Sequence, residues 1–392
     1  FKSKIQLLKG YYLKINLLII IYGLIVTMSV MYATQPLQPL LASKFNISII
    51  EASQFTAVIL FFLAVAPIIY GYILEKVNAK KMLINASIVL LITNILLGLS
   101  QNYELFLFFR VCEALVIPAI LTSLMSILAN IDNENIKFNM SIYVAGTVFG
   151  GLVGRVFSGF IATTFSYEYV FYSLSVAILI SILLIRKLDF NGDANIIKPR
   201  ISDVINILKD KRFLVIYFVM FFVFFVFSGV LNVLPFRAKE ISNNVSEFQI
   251  ALLYLGYGMG ILVSLTSKKI VSFFKGEINT IFIAIIFYIF SIIFLLNENI
   301  LYLFIFLFLV CIGMFTTHTV STQLANSMKS SQKSLTSGMY LTFYYLGGAS
   351  GSIIPSYIYK AFGWNIMLTI FIFLIIIVAL VVFFNRKLFK TI

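Results

Sequence analysis

Glu113 lies in the middle of a long apolar run, with Arg110 three residues before it. On a helix the two side chains share a face. A carboxyl group in a low-dielectric setting can carry a proton, and a neighbouring guanidinium sets how tightly it holds it. This pairing nominates Glu113 as a proton-coupling group with Arg110 as its modulator; a permanent ion pair that fixes the helix is the plainer reading. His318, the only histidine, also falls inside an apolar run. It is a second candidate for proton coupling, against the more ordinary role of a hydrogen-bonded interior residue. Arg155 stands among Gly146, Gly150, Gly151, Gly154 and Gly159. Small residues at this spacing let helices pack closely, and the Arg155 head is then within reach of a backbone carbonyl, Glu113 or an anionic ligand.

The elements that must position these groups are membrane spans. Of 392 residues, 61% are hydrophobic and 11% are charged, far from the balance of a soluble domain. The apolar runs are long and lack the alternation of a β-barrel. An all-α polytopic membrane protein follows, with spans expected near 15–41, 50–73, 82–100, 104–129, 138–163, 168–186, 213–236, 247–267, 278–296, 300–326, 335–360 and 364–385. Of the 29 Lys and Arg residues, 23 fall in one set of loops and four in the opposite set. The positive-inside rule then makes both termini cytoplasmic, and most of the net charge of +14 reflects topology rather than a nucleic-acid surface. The run from Ile15 to Met31 is too long for a signal peptide and is read as an uncleaved first span. The absence of an initiating Met suggests that the numbered chain is not the whole gene product. Between the sixth and seventh spans, apolar residues at 201, 204, 205 and 208 predict an amphipathic linker helix lying on the cytoplasmic surface.

The two halves resemble each other. Pro39 and Pro235, Glu51 and Glu247, Val111-Cys112 and Val310-Cys311, Gly150-Gly151-x-x-Gly154 and Gly347-Gly348-x-x-Gly351, and Phe165 and Phe362 match in order at offsets of 196 to 199. The expected domains are a six-helix bundle over 1–186, a linker over 187–212 and a second six-helix bundle over 213–392. Duplicated halves of this kind build a midplane site at their interface, which alternating access exposes to each side in turn.

Several motifs resemble the major facilitator superfamily over nearly the whole chain. The stretch from Gly71 through Glu75, Lys76 and Asn78 to Lys80 and Lys81 is similar to the family's signature loop. The resemblance implies a conformational latch of Gly71, Glu75, Lys76 and Lys80, with Asn78 supplying the left-handed turn of the family's glycine; Ser267-Lys268-Lys269-Ile270 is the matching second-half loop. Arg110-Val111-Cys112-Glu113-Ala114 resembles an Arg-x-x-Gln-Gly element. The Gly146 to Gly159 stretch resembles the glycine-rich motif of the antiporter branch, with Arg155 where a glycine is common. With Gln35-Pro36-Leu37-Gln38-Pro39 and Tyr344-Tyr345-Leu346-Gly347-Gly348, the chain looks like a bacterial drug-or-metabolite efflux subgroup.

The resemblance implies twelve helices in two pseudo-symmetric six-helix bundles. Their shared cavity nominates Tyr32, Gln35, Gln38, Arg155, Asn232, Thr317, His318, Tyr344 and Tyr345 for substrate, with Gly347, Gly348 and Gly351 as helix-packing positions. The function expected is export of a small amphipathic organic compound by proton antiport, in the bacterial inner membrane, by a monomer. The proton gradient is the expected energy source. A proton-coupled importer or facilitator of a small organic anion, and a non-transporting receptor or lipid-handling protein, are the alternatives. No phosphate-binding loop, metal-ligand cluster or catalytic triad is readable, and two separated cysteines suggest no disulfide framework. Enzyme activity, a cofactor and a nucleic-acid partner are therefore not expected.

Overall fold

The structure is a computed structural model that describes residues 2–73, 78–131, 136–188, 201–328 and 333–389. Eleven helices among these residues are long and apolar enough to cross a membrane. The last, Lys333–Asn385, has twice the length one crossing needs, and Gly363 breaks it with φ 79° and ψ 179°, a conformation that favours glycine. The result is an all-α bundle of twelve spans in two pseudo-symmetric halves of six. Spans one to six are Lys2–Tyr32, Ile49–Ile73, Ala79–Leu99, Tyr103–Asn130, Ile136–Thr164 and Tyr167–Arg186. Span seven is Lys211–Ile241, and span eight is assembled from Glu247–Leu252, a 3₁₀ segment Leu253–Gly258, and Met259–Phe273. Spans nine and ten are Glu277–Phe294 and Ile300–Met328, and Gly363 divides spans eleven and twelve.

The helix starts are set by short polar side chains. Asn78, Asn102, Asp210 and Ser246 each accept from a backbone N–H of the turn that follows, and Ser246 completes a capping box with Gln249. Large apolar side chains such as Leu18, Phe61, Leu265 and Phe384 point outward and are exposed. A bilayer is the solvent that suits them.

The two halves are stitched internally by the same device. An added Cβ at Gly150 would lie 2.9 Å from the Ile25 carbonyl oxygen, and one at Gly154 would run into the Ser29 backbone. In the second half, Gly347 and Gly351 press in the same way on the backbone of Phe221 and Phe225, each 196 residues beyond its first-half counterpart. Spans one and five therefore touch backbone to backbone, as do spans seven and eleven.

Four local expectations change. The first span does not run unbroken to residue 41: it stops at Tyr32, residues 33–37 form turns, and a short helix Gln38–Phe45 follows. Two prolines, Pro36 and Pro39, account for the interruption. Asn78 has φ −58° and ψ 130°, so it caps the third span and supplies no left-handed turn. Lys268, Lys269 and Ile270 are not a loop but the last turns of span eight, and the turn comes afterwards, at Lys275 and Gly276 with positive φ. In the linker helix Ile201–Lys209, Ile207 is buried while Ile205 is exposed, so the packed face centres on 204, 207 and 208.

The glycine seams generate a prediction. Gly154→Leu and Gly351→Leu should each destabilise the protein by about 1–3 kcal/mol through overpacking. Gly258→Ala, whose Cβ would meet only Leu152 at 3.5 Å, should be nearly neutral. Thermal melting of the detergent-purified protein checks this; equal effects at all three positions would contradict the seams.

Candidate functional site

Between the halves lies a narrow cavity lined by Tyr32 and Gln35 from the end of span one, Thr56 and Leu60 from span two, and Arg155 from span five. Phe224, Phe227, Ser228 and Leu231 of span seven and Tyr257 of span eight complete it. Each half contributes five of these ten residues. The free space in this state is narrow, with room for about one water molecule, so a larger molecule enters only as the halves separate.

Arg155 is the charged group of this cavity. Its Nε donates to Gln35 Oε1 at 2.7 Å and its Nη1 to the Gly151 carbonyl at 2.9 Å. The guanidinium lies over three rings: Tyr32 at 3.9 Å, Tyr257 at 4.5 Å and Tyr254 at 5.1 Å from their centroids. Tyr32 belongs to the first half and the other two tyrosines to the second, so the cation bridges the bundles. Tyr254 and Tyr257 sit on the 3₁₀ segment of span eight, a tighter winding that often marks a functional break. Tyr254 is fixed by donating to the Leu231 carbonyl at 2.7 Å.

Arg110 and Glu113 form a separate centre behind the first span. Both are fully buried, with Arg110 Nη1 to Glu113 Oε2 at 2.6 Å. The same guanidinium donates to the carbonyls of Val30 at 3.1 Å, Met31 at 2.5 Å and Phe55 at 3.0 Å, and to Thr34 Oγ1 at 3.1 Å. Spans one, two and four are thereby held by one side chain. Glu113 Oε1 is buried without a hydrogen-bond partner among the described residues. Glu113 does not line the cavity, but the Met31 carbonyl and the Thr34 hydroxyl that hold its partner immediately precede Tyr32 and Gln35, which do.

The remaining candidates divide by position. Gln38 and Asn232 form part of the seam: Gln38 Nε2 donates to Asn232 Oδ1 at 2.6 Å and to Thr56 Oγ1 at 3.1 Å, and Asn232 Nδ2 donates to the Ser352 carbonyl at 3.0 Å. Tyr344 stacks on Phe224 at 3.8 Å, and Tyr345 meets the same ring edge-on at 6.3 Å, so both stand against a cavity wall without lining the cavity. His318 packs on Tyr344 at 4.5 Å, and its Nδ1 is 2.8 Å from the Tyr340 hydroxyl. Thr317 donates to the Gly313 carbonyl of its own helix. Gly146 packs on Leu24, Gly151 on Tyr32, and Gly348 on Phe224. Gly71 lies in span two, Glu75 and Lys76 lie outside the described residues, and Lys80 Nζ donates to the Leu188 carbonyl. Tyr254, Tyr257, Phe224 and Phe227 escape sequence reasoning, because one aromatic residue among many gives no signal. The run Gly256-Tyr257-Gly258-Met259-Gly260 was the available clue.

On the face away from the termini the cavity is closed by small and polar contacts. Ser53 and Ser356 hydroxyls are 2.6 Å apart, joining spans two and eleven. A Cβ on Gly159 would lie 2.6 Å from the Glu247 carbonyl, and Phe248 N donates to Thr163 Oγ1 at 2.9 Å, joining spans five and eight. Gly159 and Ser356 are 197 residues apart, so the two closures are related by the repeat.

The five-fold anchoring of Arg110 generates a prediction. Arg110→Lys keeps the charge but replaces five directed donors with three on a point. It should cost about 3 kcal/mol, in the range seen when a buried pair is broken, and Glu113→Gln should cost less. Detergent-phase unfolding measures both; a silent Arg110→Lys would mean that this side chain does not hold the three spans.

Comparison with known proteins agrees with the architecture. The family model for the Major Facilitator Superfamily matches residues 19–327. An uncharacterized transporter of Buchnera aphidicola subsp. Schizaphis graminum (strain Sg) is 20% identical over 365 residues, covering 92% of this chain and 88% of the relative. Multidrug resistance protein MdtG of Salmonella choleraesuis (strain SC-B67) is 23% identical over 244 residues, 60% of each chain. Among solved structures, a bacterial homolog of the human lysosomal transporter Spinster, in an inward-facing and unoccupied conformation, superposes with a TM-score of 0.76 at 14% identity and covers 97% of both chains. With the family model spanning most of its length and the twelve-span fold in place, the chain belongs to the Major Facilitator Superfamily of membrane transporters.

Proposed function

We propose that this transporter exports a small amphipathic organic compound by alternating access, with protons moving the opposite way. The observation that carries the reading is the cavity itself: aromatic walls with few polar groups, contributed equally by two repeat-related halves and closed on one face. Such walls suit a molecule with a large apolar body. The multidrug name of one relative supports export. The distribution of Lys and Arg supports a cytoplasmic position for both termini at the inner membrane, and on that reading the closed face is the outer one.

The closing contacts are paired hydroxyls, one backbone amide on a hydroxyl and a glycine approach, and the freed polar groups can bond water when they separate. The glycine seams within each half are backbone contacts and move as units. Rocking of one unit past the other opens the outer face.

The proton step is assigned to Glu113. A proton on its unpartnered Oε1 cancels the carboxylate charge and weakens the contact with Arg110, whose other bonds run to spans one and two. Both residues belong to span four, so the proton acts by changing how strongly Arg110 holds the backbone of spans one and two, next to Tyr32 and Thr56 in the cavity. Proton and substrate are thus linked through two short stretches of chain.

In proteoliposomes, an inwardly directed proton gradient should accelerate export by the wild type. Glu113→Gln should reduce that acceleration at least about tenfold, within the range of ordinary coupling energies, while leaving substrate counterflow in place. An undiminished response to the gradient would contradict the assignment.

A further inference from the structure

The two intramembrane arginines differ in one respect. Arg110 has a carboxylate partner and a full set of hydrogen bonds. Arg155 is just as deeply buried, at 1% exposure, yet no Asp or Glu pairs with it among the described residues. The described ion pairs join Arg110 to Glu113, Arg212 to Asp210, Arg237 to Glu240 and Glu298, and Lys239 to Glu247. Gln35 and the tyrosine faces offset part of the cost of burying Arg155. They are neutral groups, and they leave a net positive charge inside the cavity. Isolated charges in such surroundings are normally paired.

We propose that Arg155 is the seat of a monovalent anionic group on the substrate, a carboxylate attached to an apolar body. This rests on the reading of the central cavity as the transport site. The valence follows from the single cation: a phosphate monoester brings more charge than one guanidinium balances. The same cavity is lined by Phe224, Phe227, Leu60 and Leu231, which suit the apolar body. Hydroxyls of Thr56 and Ser228 are the neutral polar groups nearby. Because Tyr32 and Tyr257 approach the guanidinium from opposite halves, an anion held there lies beside both bundles, so its arrival and departure bear on the rocking motion.

The test uses the detergent-purified full chain and three isosteric probes: benzoate, benzyl alcohol and benzylammonium, with 1-naphthoate as a larger anion. Competition binding and melting shifts are read together. The wild type should prefer benzoate or 1-naphthoate over benzyl alcohol by about tenfold or more, the factor expected for one charge-assisted hydrogen bond, and should bind benzylammonium least. Arg155→Gln should lose that preference while still binding benzyl alcohol, and Arg155→Lys should restore part of it. Equal binding of the three probes by the wild type, a preference for the ammonium, or failure of both carboxylates to bind would overturn the proposal, without need of any variant. Flux measurements separate it from the transport reading: charge-selective binding without flux would contradict transport and leave the anion seat standing, whereas proton-driven flux of neutral or cationic compounds alone would do the reverse.

Discussion

A charge in hydrocarbon must find compensation, and the membrane-embedded chemistry of this protein is arranged around that constraint. Arg110 meets it completely, with a carboxylate, three carbonyls and a hydroxyl, and in doing so ties three spans into one unit. Arg155 meets it with ring faces, one amide oxygen and one carbonyl. The first arrangement builds a half of the molecule. The second lies on the line along which the halves meet, where groups from both sides share a single cation.

The seams show the same division between what is fixed and what can separate. Within a half, glycines bring backbones together over several turns, and the contacts of Gly150 and Gly154 on span one return at Gly347 and Gly351 on span seven. Between the halves, spans two and eleven and spans five and eight pack broadly, and the hydrogen bonds across them include Ser53 with Ser356, Thr342 with the Ala64 carbonyl, Thr163 with the Phe248 amide, and Gln38 with Asn232. In a bilayer, lipid tails match apolar side chains well, so helix association depends on packing and hydrogen bonds rather than on hydrophobic burial. The glycine seams within each half tie helices into units, and the packed faces of spans two with eleven and five with eight are the surfaces along which the units meet.

Much of this architecture is legible in the sequence, for identifiable reasons. Apolar runs of bilayer length mark the spans, because little else consumes so many Phe, Ile and Leu residues. The glycine matches at a nearly constant offset reveal the duplication, because close approach tolerates no side chain at those positions. Tyr32, Gln35 and Arg155 are readable as cavity residues once the fold is recognised. Other features depend on geometry that spacing does not encode. The winding of span eight into a 3₁₀ segment aims Tyr254 and Tyr257 at Arg155, and nothing in a chain with 21 tyrosines singles out those two. Thr317 satisfies its own helix, and Tyr344 stands behind Phe224, although both occupy spans that the fold places around the centre. The break after Tyr32 was signalled by Pro36 and Pro39, but its consequence, the turn that presents Gln35 to Arg155, emerges only when the chain is folded.

Under alternating access the face now closed must open, and Ser53 and Ser356 lie on the line of opening. A Ser53→Cys/Ser356→Cys pair, in a chain whose native Cys112 and Cys311 are replaced by serine, places two thiols across that line. The direct measurement is flux in proteoliposomes before oxidation, after complete cross-linking and after reduction. The account predicts that flux stops on cross-linking and returns on reduction. Undiminished flux through a fully cross-linked protein would contradict it.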